Sequence, residues 1–376
     1  MGNSYRKRSL PALFTCLSLG AWGLAPQVAT AGATLKIDDV KSFSVGAGIR
    51  ASFTAEDDAA PSGSDPSKDF AAGNMRLYTG GRVHENISLT FNTEIDSGND
   101  SAVRVLDAIV QFNFTDAFNV WLGRFLPPSD RSNLDGPYYL NAWDFPMVQA
   151  YPAIFAGRDD GAAVWGQVGG GMFKYQAGFF EGRDGAGTSN DEDNLLFAGR
   201  VVLNFWDPEP GYYNSSTYYG SKDILAVGLT YMNQADGAGT PTAKGDFTGW
   251  NIDFLFEKKF GSAGTGTFEA AYYDYDLGDV ADASLTQGSS YLILASYLLP
   301  VKTGIGQLQP LLRYQNFDRD STNAAGKTGE ATTTDVGLNY IIDGHNARVS
   351  IVYSNTDPGP GASDVNSFKI GVQLQI

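Results

Sequence analysis

NSFKIGVQLQI, residues 366–376, alternates without a break. Phe368, Ile370, Val372, Leu374 and Ile376 take one parity, and Ser367, Lys369, Gly371, Gln373 and Gln375 take the other. A period of two places each set on its own face of a strand. The pattern recurs upstream. Phe43, Val45, Ala47, Ile49, Ala51 and Phe53 alternate with Ser44, Gly46, Gly48, Arg50 and Ser52; Ile87, Leu89, Phe91 and Ile95 alternate with Ser88, Thr90, Asn92 and Glu94. Trp250, Ile252, Phe254 and Phe256 stand against Asn251, Asp253, Leu255 and Glu257. Sixteen such segments begin near residues 43, 74, 87, 103, 118, 158, 172, 195, 224, 247, 265, 289, 306, 331, 346 and 366. The facing of 118–125, 158–168 and 289–299 is ambiguous.

The connections alternate in length. Short ones fall at 85–86, 115–117, 169–171, 260–264, 300–305 and 343–345. Long polar ones fall at 57–73, 97–102, 126–157, 183–194, 235–246, 277–288, 318–329 and 357–365. One connection, 207–223, is long where a short turn is due. Short turns at one end, long loops at the other and strands of about ten residues mark an outer-membrane barrel. Hydrocarbon cannot solvate backbone amides, so a spanning sheet has to close on itself. A soluble sandwich would hide its apolar faces, whereas here every strand pairs an apolar face with a polar, glycine-rich or charged one. The expectation is an all-β chain: a transmembrane antiparallel β-barrel of about 16 strands.

Composition agrees. Glycine (45), phenylalanine (23) and tyrosine (19) are abundant and evenly spread, as suits β-structure. Arg6, Lys7 and Arg8 precede an apolar stretch and the small residues Ala29-Thr30-Ala31. That reads as a signal peptide over 1–31, followed by the barrel domain over 32–376 in a Gram-negative outer membrane. Cys16 would leave with it, so no disulfide, thiol nucleophile or haem-attachment motif remains. Losing three bases and no acid lowers the formal charge from −16 to −19, which argues against nucleic acid as a partner. No stretch is long and apolar enough for a spanning helix.

Sixteen strands enclose a water-filled channel rather than a packed interior. The inward parity carries Arg50, Arg76, Arg82, Arg124, Lys174, Arg200, Arg313, Arg348 and Lys369, with Glu94, Asp107, Asp253, Glu257, Glu269 and Asp335. Closing the barrel puts Arg348, Lys369, Arg50, Arg76 and Arg82 on one arc of wall. The acids gather elsewhere, so a transverse field could select small solutes. Equally, such charges could simply pair and solvate the wall. Residues 125–155, FLPPSDRSNLDGPYYLNAWDFPMVQAYPAIF, would make a large apolar patch if exposed, so they are expected to fold inward, with a surface lid as the alternative. Folded into the barrel as its third loop, they would bury Tyr138, Tyr139, Trp143, Phe145 and Tyr151 against the inner wall. Val120, Leu122, Ala163 and Trp165 would be the docking surface, leaving Asp130, Arg131, Asp135 and Asp144 at the narrowest section.

VWLGRFLPP (120–128), GRDDGAAVWGQV (157–168), YQAGFFEGRDG (175–185) and LKIDDVKSFSVGAGIRASF (35–53) resemble the phosphate-selective porin O and P family. The resemblance implies a sixteen-stranded porin with an inward third loop, a homotrimer, and passage of small anions. Only Arg124 and Arg158 carry over residue by residue. The third loop has no lysine and 235–246 has only Lys244, so the lysine-rich constriction of phosphate-specific members has no counterpart.

Other chemistry is thin. His84 and His345 both fall at short turns, away from the long loops, so no Ser-His hydrolase is expected. Ala325-Gly326-Lys327-Thr328 looks like the end of a P-loop, but Ser321 replaces the first glycine and a strand follows instead of a helix. Acidic loop clusters (Asp57-Asp58, Asp191-Glu192-Asp193, and Asp274, Asp276, Asp279) could hold Ca²⁺ or bridge lipopolysaccharide, although a solvated loop face is commoner. The sequence therefore points to a passive channel for small ions and solutes, in contact with outer-membrane lipid, with no cofactor and an anion preference. The alternative is a barrel that sheathes periplasmic partners such as cytochromes.

Overall fold

A computed structural model describes residues 32–95, 102–152, 156–185, 187–282, 284–320 and 328–376; the expected signal peptide and most of the P-loop-like stretch lie outside them. The first strands are β1 (Ala33–Lys36), β2 (Ser42–Glu56), β3 (Ser67–His84), β4 (Ile87–Ile95), β5 (Val103–Thr115) and β6 (Phe118–Phe125). After α1 (Arg131–Tyr139) come β7 (Asp159–Val168), β8 (Phe173–Phe180), β9 (Leu196–Asn204), β10 (Ile224–Thr240), β11 (Ala243–Lys259) and β12 (Thr265–Asp276). The last are β13 (Gly288–Leu298), β14 (Lys302–Thr303), β15 (Gly306–Arg319), β16 (Gly329–Asp343), β17 (Ala347–Asp357) and β18 (Val365–Gln375).

Sequence neighbours pair antiparallel all the way round, and β18 pairs with β2 from Ser367↔Glu56 to Gln375↔Gly48, which closes the ring. Two strands are not staves: β14 is the inner rung of a turn, and β1 borders β2 where β18 ends. Sixteen staves remain. Their starts match the sequence reading to within two residues except at β3 and β11, which begin earlier.

The 235–246 stretch is not a long loop. It is the tip of the β10–β11 hairpin, paired up to Thr240↔Ala243. Small residues concealed the strand, since Ala238 is buried and Gly239 and Gly245 lie against Val280.

Outward side chains form an apolar band that includes Val201, Leu229, Ile252, Ile293, Leu312 and Ile351, all exposed. Aromatics edge it at both ends. Phe112, Phe114 and Phe118 stack in series, and Trp206 meets Phe256, at the short-turn end. Phe179–Phe197, Trp250–Tyr272 and Tyr291–Tyr314 lie towards the long loops. That is the profile of a lipid-facing surface.

The inside departs from a uniformly wet hollow. Trp121, Phe125, Trp165, Phe180, Phe247, Tyr273, Tyr275 and Phe317 form one buried cluster with Leu134 and Val148 of the third loop and Tyr212 of the 205–223 connection. Part of the interior is thus a dry core.

Candidate functional site

The third loop leaves β6 and turns inward at once. Asp130 caps α1, its carboxylate accepting from Ser132 N at 3.1 Å and from the Tyr273 hydroxyl at 2.8 Å. Gly136, at φ 65°, breaks the helix before Pro137, a left-handed conformation that costs glycine little. Beyond the break the chain reaches the opposite wall. Tyr138 donates to Asn74 O (2.5 Å), Asn141 to Ser296 (2.8 Å), and the Met147 amide to Gln315 (2.8 Å). Arg348 donates to Leu140 O (2.7 Å) and Arg50 to Trp143 O. Both guanidinium groups lie by the Trp143 ring, at 4.0 Å for Arg50 and 5.9 Å for Arg348. These two arginines clamp the loop rather than project into open space.

The 205–223 connection enters from the short-turn end and meets the third loop inside. Arg131 forms a two-pronged pair with Glu209 (2.7 and 2.8 Å) and lies 3.8 Å from Asp253, which Arg200 also engages at 3.0 Å. The four side chains are essentially unexposed. Asn214 and Ser216 donate to Asp135, and Ser216 N donates to Tyr139 O at 3.2 Å. Glu257 collects Thr217 Oγ1, Tyr218 N and Gly220 N at 2.7–3.0 Å, while Glu269 accepts from Ser132. His345 Nε2 donates to Thr217 O (2.9 Å), with its ring between those of Tyr139 and Tyr219. The two inserts form one hydrogen-bonded partition.

Burial disfavours charge on Glu209, but Arg131 outweighs it and holds the carboxyl down to about 2. Burial pushes Asp135 well above the usual carboxylate range in spite of Arg131, with Glu269 and Glu209 adding to the rise. Burial and then Arg348 depress His345 to about 4.

The remaining inward charges are matched locally: Arg76 with Glu94, Arg158 with Asp107 at 3.1 Å, Arg313 with Asp335 at 2.7 Å, and Lys369 with Asp144 at 2.7 Å. Lys174 is buried and donates to Tyr213 O. Asp130 and Arg131 are sealed within the partition rather than lining open space, whereas Asp144 is exposed.

Three expectations are corrected. Arg124 shares its face with exposed Leu122 and pairs with Asp160 at 2.7 Å, on the outside. Trp121 and Phe125, not Val120 and Leu122, face in, because the partition makes this stretch of inner wall apolar. Ala163 and Trp165 do face in as expected. Phe145 is exposed, unlike Tyr138 and Trp143, while Tyr139 and Tyr151 are half-buried. Arg82 keeps the parity of Arg76 and Tyr78 on β3 and is exposed near the short-turn rim. His84 is there too, its ring accepting from Asn86 N.

Between the partition and the wall of β3, β4 and β5 lies a cavity of about 330 Å³. Arg76, Arg158 and Lys222 line it, with Asp107, Asp135, Asn92 and Asn214, and with Tyr78, Tyr139, Tyr213 and Tyr218. The exposed Asn346 puts its mouth at the short-turn end. The residues missed from sequence, Glu209, Tyr212 to Tyr218 and Lys222, all belong to the one connection of anomalous length. Its tyrosine-rich run GYYNSSTYYG (211–220) was the signal.

No family model and no curated protein matches this chain. Solved structures do. OprB of Pseudomonas putida aligns with TM-score 0.64 at 9% identity, over 90% of this chain and 94% of that one. An anion-selective porin from Comamonas acidovorans aligns at 0.59 and 15%, over 89% and 100%. The outer membrane channel DcaP of Acinetobacter baumannii aligns at 0.57 and 12%, over 91% and 99%. At these identities the likeness is one of architecture: the chain has the closed sixteen-stranded fold of outer-membrane porins.

Proposed function

We propose that the chain is a passive outer-membrane channel for small hydrophilic solutes and ions, exported by residues 1–31, with a weak preference for anions. The observation that carries this reading is a closed barrel, apolar outside, whose interior is narrowed by its own chain to a polar cavity beside a partition. The sheath alternative loses its ground, since two inserts occupy the space a partner protein would need. Local pairing of the inward charges argues for weak selectivity, because matched pairs cancel at distances beyond a few ångströms. Around the cavity Arg76 and Arg158 are paired with Glu94 and Asp107, Lys222 has no carboxylate within ion-pair distance among the described residues, and burial disfavours charge on Asp135, so the lining leans positive. The similar fold named an anion-selective porin agrees with that sign. Three copies in one assembly, as the family resemblance implies, fit the same reading.

Planar bilayers under a potassium chloride gradient test it. Discrete conductance steps with a reversal potential on the chloride side are expected. Cation selectivity would remove the anion preference, and a mature protein that stays monomeric and dispersed in buffer without detergent would remove the channel.

A further inference from the structure

The cavity beside the partition is lined by two kinds of side chain, bases and apolar or aromatic groups. Arg158 commits its Nε to Asp107 and one terminal nitrogen to Ala156 O, and Arg76 commits its Nε to Glu94, so both have donors left over. Lys222 differs from them. Among the described residues it has no carboxylate partner within ion-pair distance; its ammonium donates to Pro208 O at 2.8 Å and sits 5.2 Å from the Tyr218 ring. The rings of Tyr213 and Tyr218 and the buried Leu134 line the same cavity.

We propose that this cavity is a binding subsite for small organic monoanions, a single carboxylate on an apolar or aromatic body. The inference deepens the channel reading and rests on it for the route by which the solute arrives. The charge count argues for one negative charge: Arg76 and Arg158 are already paired with Glu94 and Asp107, and of the three bases lining the cavity Lys222 alone has no carboxylate within ion-pair distance among the described residues. The ring and leucine faces argue against inorganic anions, whose lost hydration an apolar wall does not replace. A tyrosine face instead accepts an apolar ring. A volume of about 330 Å³ is at the small end of ligand sites, and admits one ring with its carboxylate rather than an oligomer.

The test uses the full mature protein in planar bilayers, with benzoate, benzyl alcohol and inorganic phosphate as probes at equal concentration. Benzoate should interrupt the potassium chloride current, phosphate should do so at least about tenfold less effectively, and benzyl alcohol not at all. Lys222→Met should raise the half-blocking benzoate concentration about tenfold, the effect of one charge-assisted hydrogen bond, and Lys222→Arg should restore it. Equal block by phosphate, equal block by benzyl alcohol, or an unchanged Lys222→Met would each overturn the proposal. Benzoate binding to the detergent-solubilised protein, followed by tyrosine fluorescence, reads the subsite without any current. Conductance without benzoate binding thus sinks the subsite alone, and binding without conductance sinks the channel alone.

Discussion

Trp143 can lie flat on the inner wall because position 371 has no side chain: a Cβ there would come within 2.5 Å of the indole. Arg50 and Arg348 then hold the ring from the wall of β2 and β17, and their donors go to loop carbonyls instead of carboxylates. Inward bases were legible in the alternation, but their partners were not, because a period of two says which way a side chain points and nothing about what meets it there. His345 makes the same point with a measurable consequence. Its ring is packed between Tyr139 and Tyr219, near Arg348, and is held neutral, with its pKa depressed from 6.5 to about 4. An unfolded histidine takes up a proton near 6.5, so the folded form loses stability as pH falls from there towards 4. The loss is at most roughly 3 kcal/mol. Asp135 works in the opposite sense, since its raised pKa favours the folded form at low pH. Comparison with His345→Gln isolates the histidine: the wild-type melting temperature in detergent should drop between pH 6.5 and 4, and the variant's should drop less. Parallel profiles would mean that the ring already meets water.

At the scale of elements, the 205–223 connection explains most of what the sequence concealed. Its length was visible, yet neither its direction nor its partner could be read, because Glu209 and Arg131 are 78 residues apart and meet only through the fold. The facing of β6 failed for the same reason. A rule of apolar out and polar in holds for a wet lumen, and the inserts make the lumen beside β6 dry, so Trp121 turns inward. The buried Arg131–Glu209 pair is the joint between the inserts. Removing one partner leaves the other charge buried and unpaired, which costs about 3–5 kcal/mol, whereas replacing both with apolar residues of similar size is often near neutral. Arg131→Met should therefore lower the melting temperature sharply and give noisy, enlarged conductance as the partition loosens. Arg131→Met with Glu209→Met should recover most of the stability. If the double variant is as unstable as the single one, the pair does more than join the two segments.

For the whole molecule, sixteen staves, the closing β18–β2 pair and the position of nearly every turn could be read from parity and loop length alone. That legibility has a physical source. Lipid imposes one rule on every stave along the whole circumference, while the interior imposes a different demand at each position. The outward band is where the rule can be tested. Leu229 is the central outward residue of the run from Leu225 to Asn233 on β10; it is exposed and flanked across the ladders by Val201 and Ile252. In water, Leu229→Arg would replace an exposed leucine at almost no cost. In a bilayer the same change near the midplane costs about 2–4 kcal/mol. Folding titrations into lipid vesicles should show that loss for Leu229→Arg and much less for Val301→Arg, whose exposed side chain lies in the short turn after β13. Equal, small effects at both positions would mean that the band does not meet hydrocarbon, and the barrel would then have to be reconsidered as a water-soluble one.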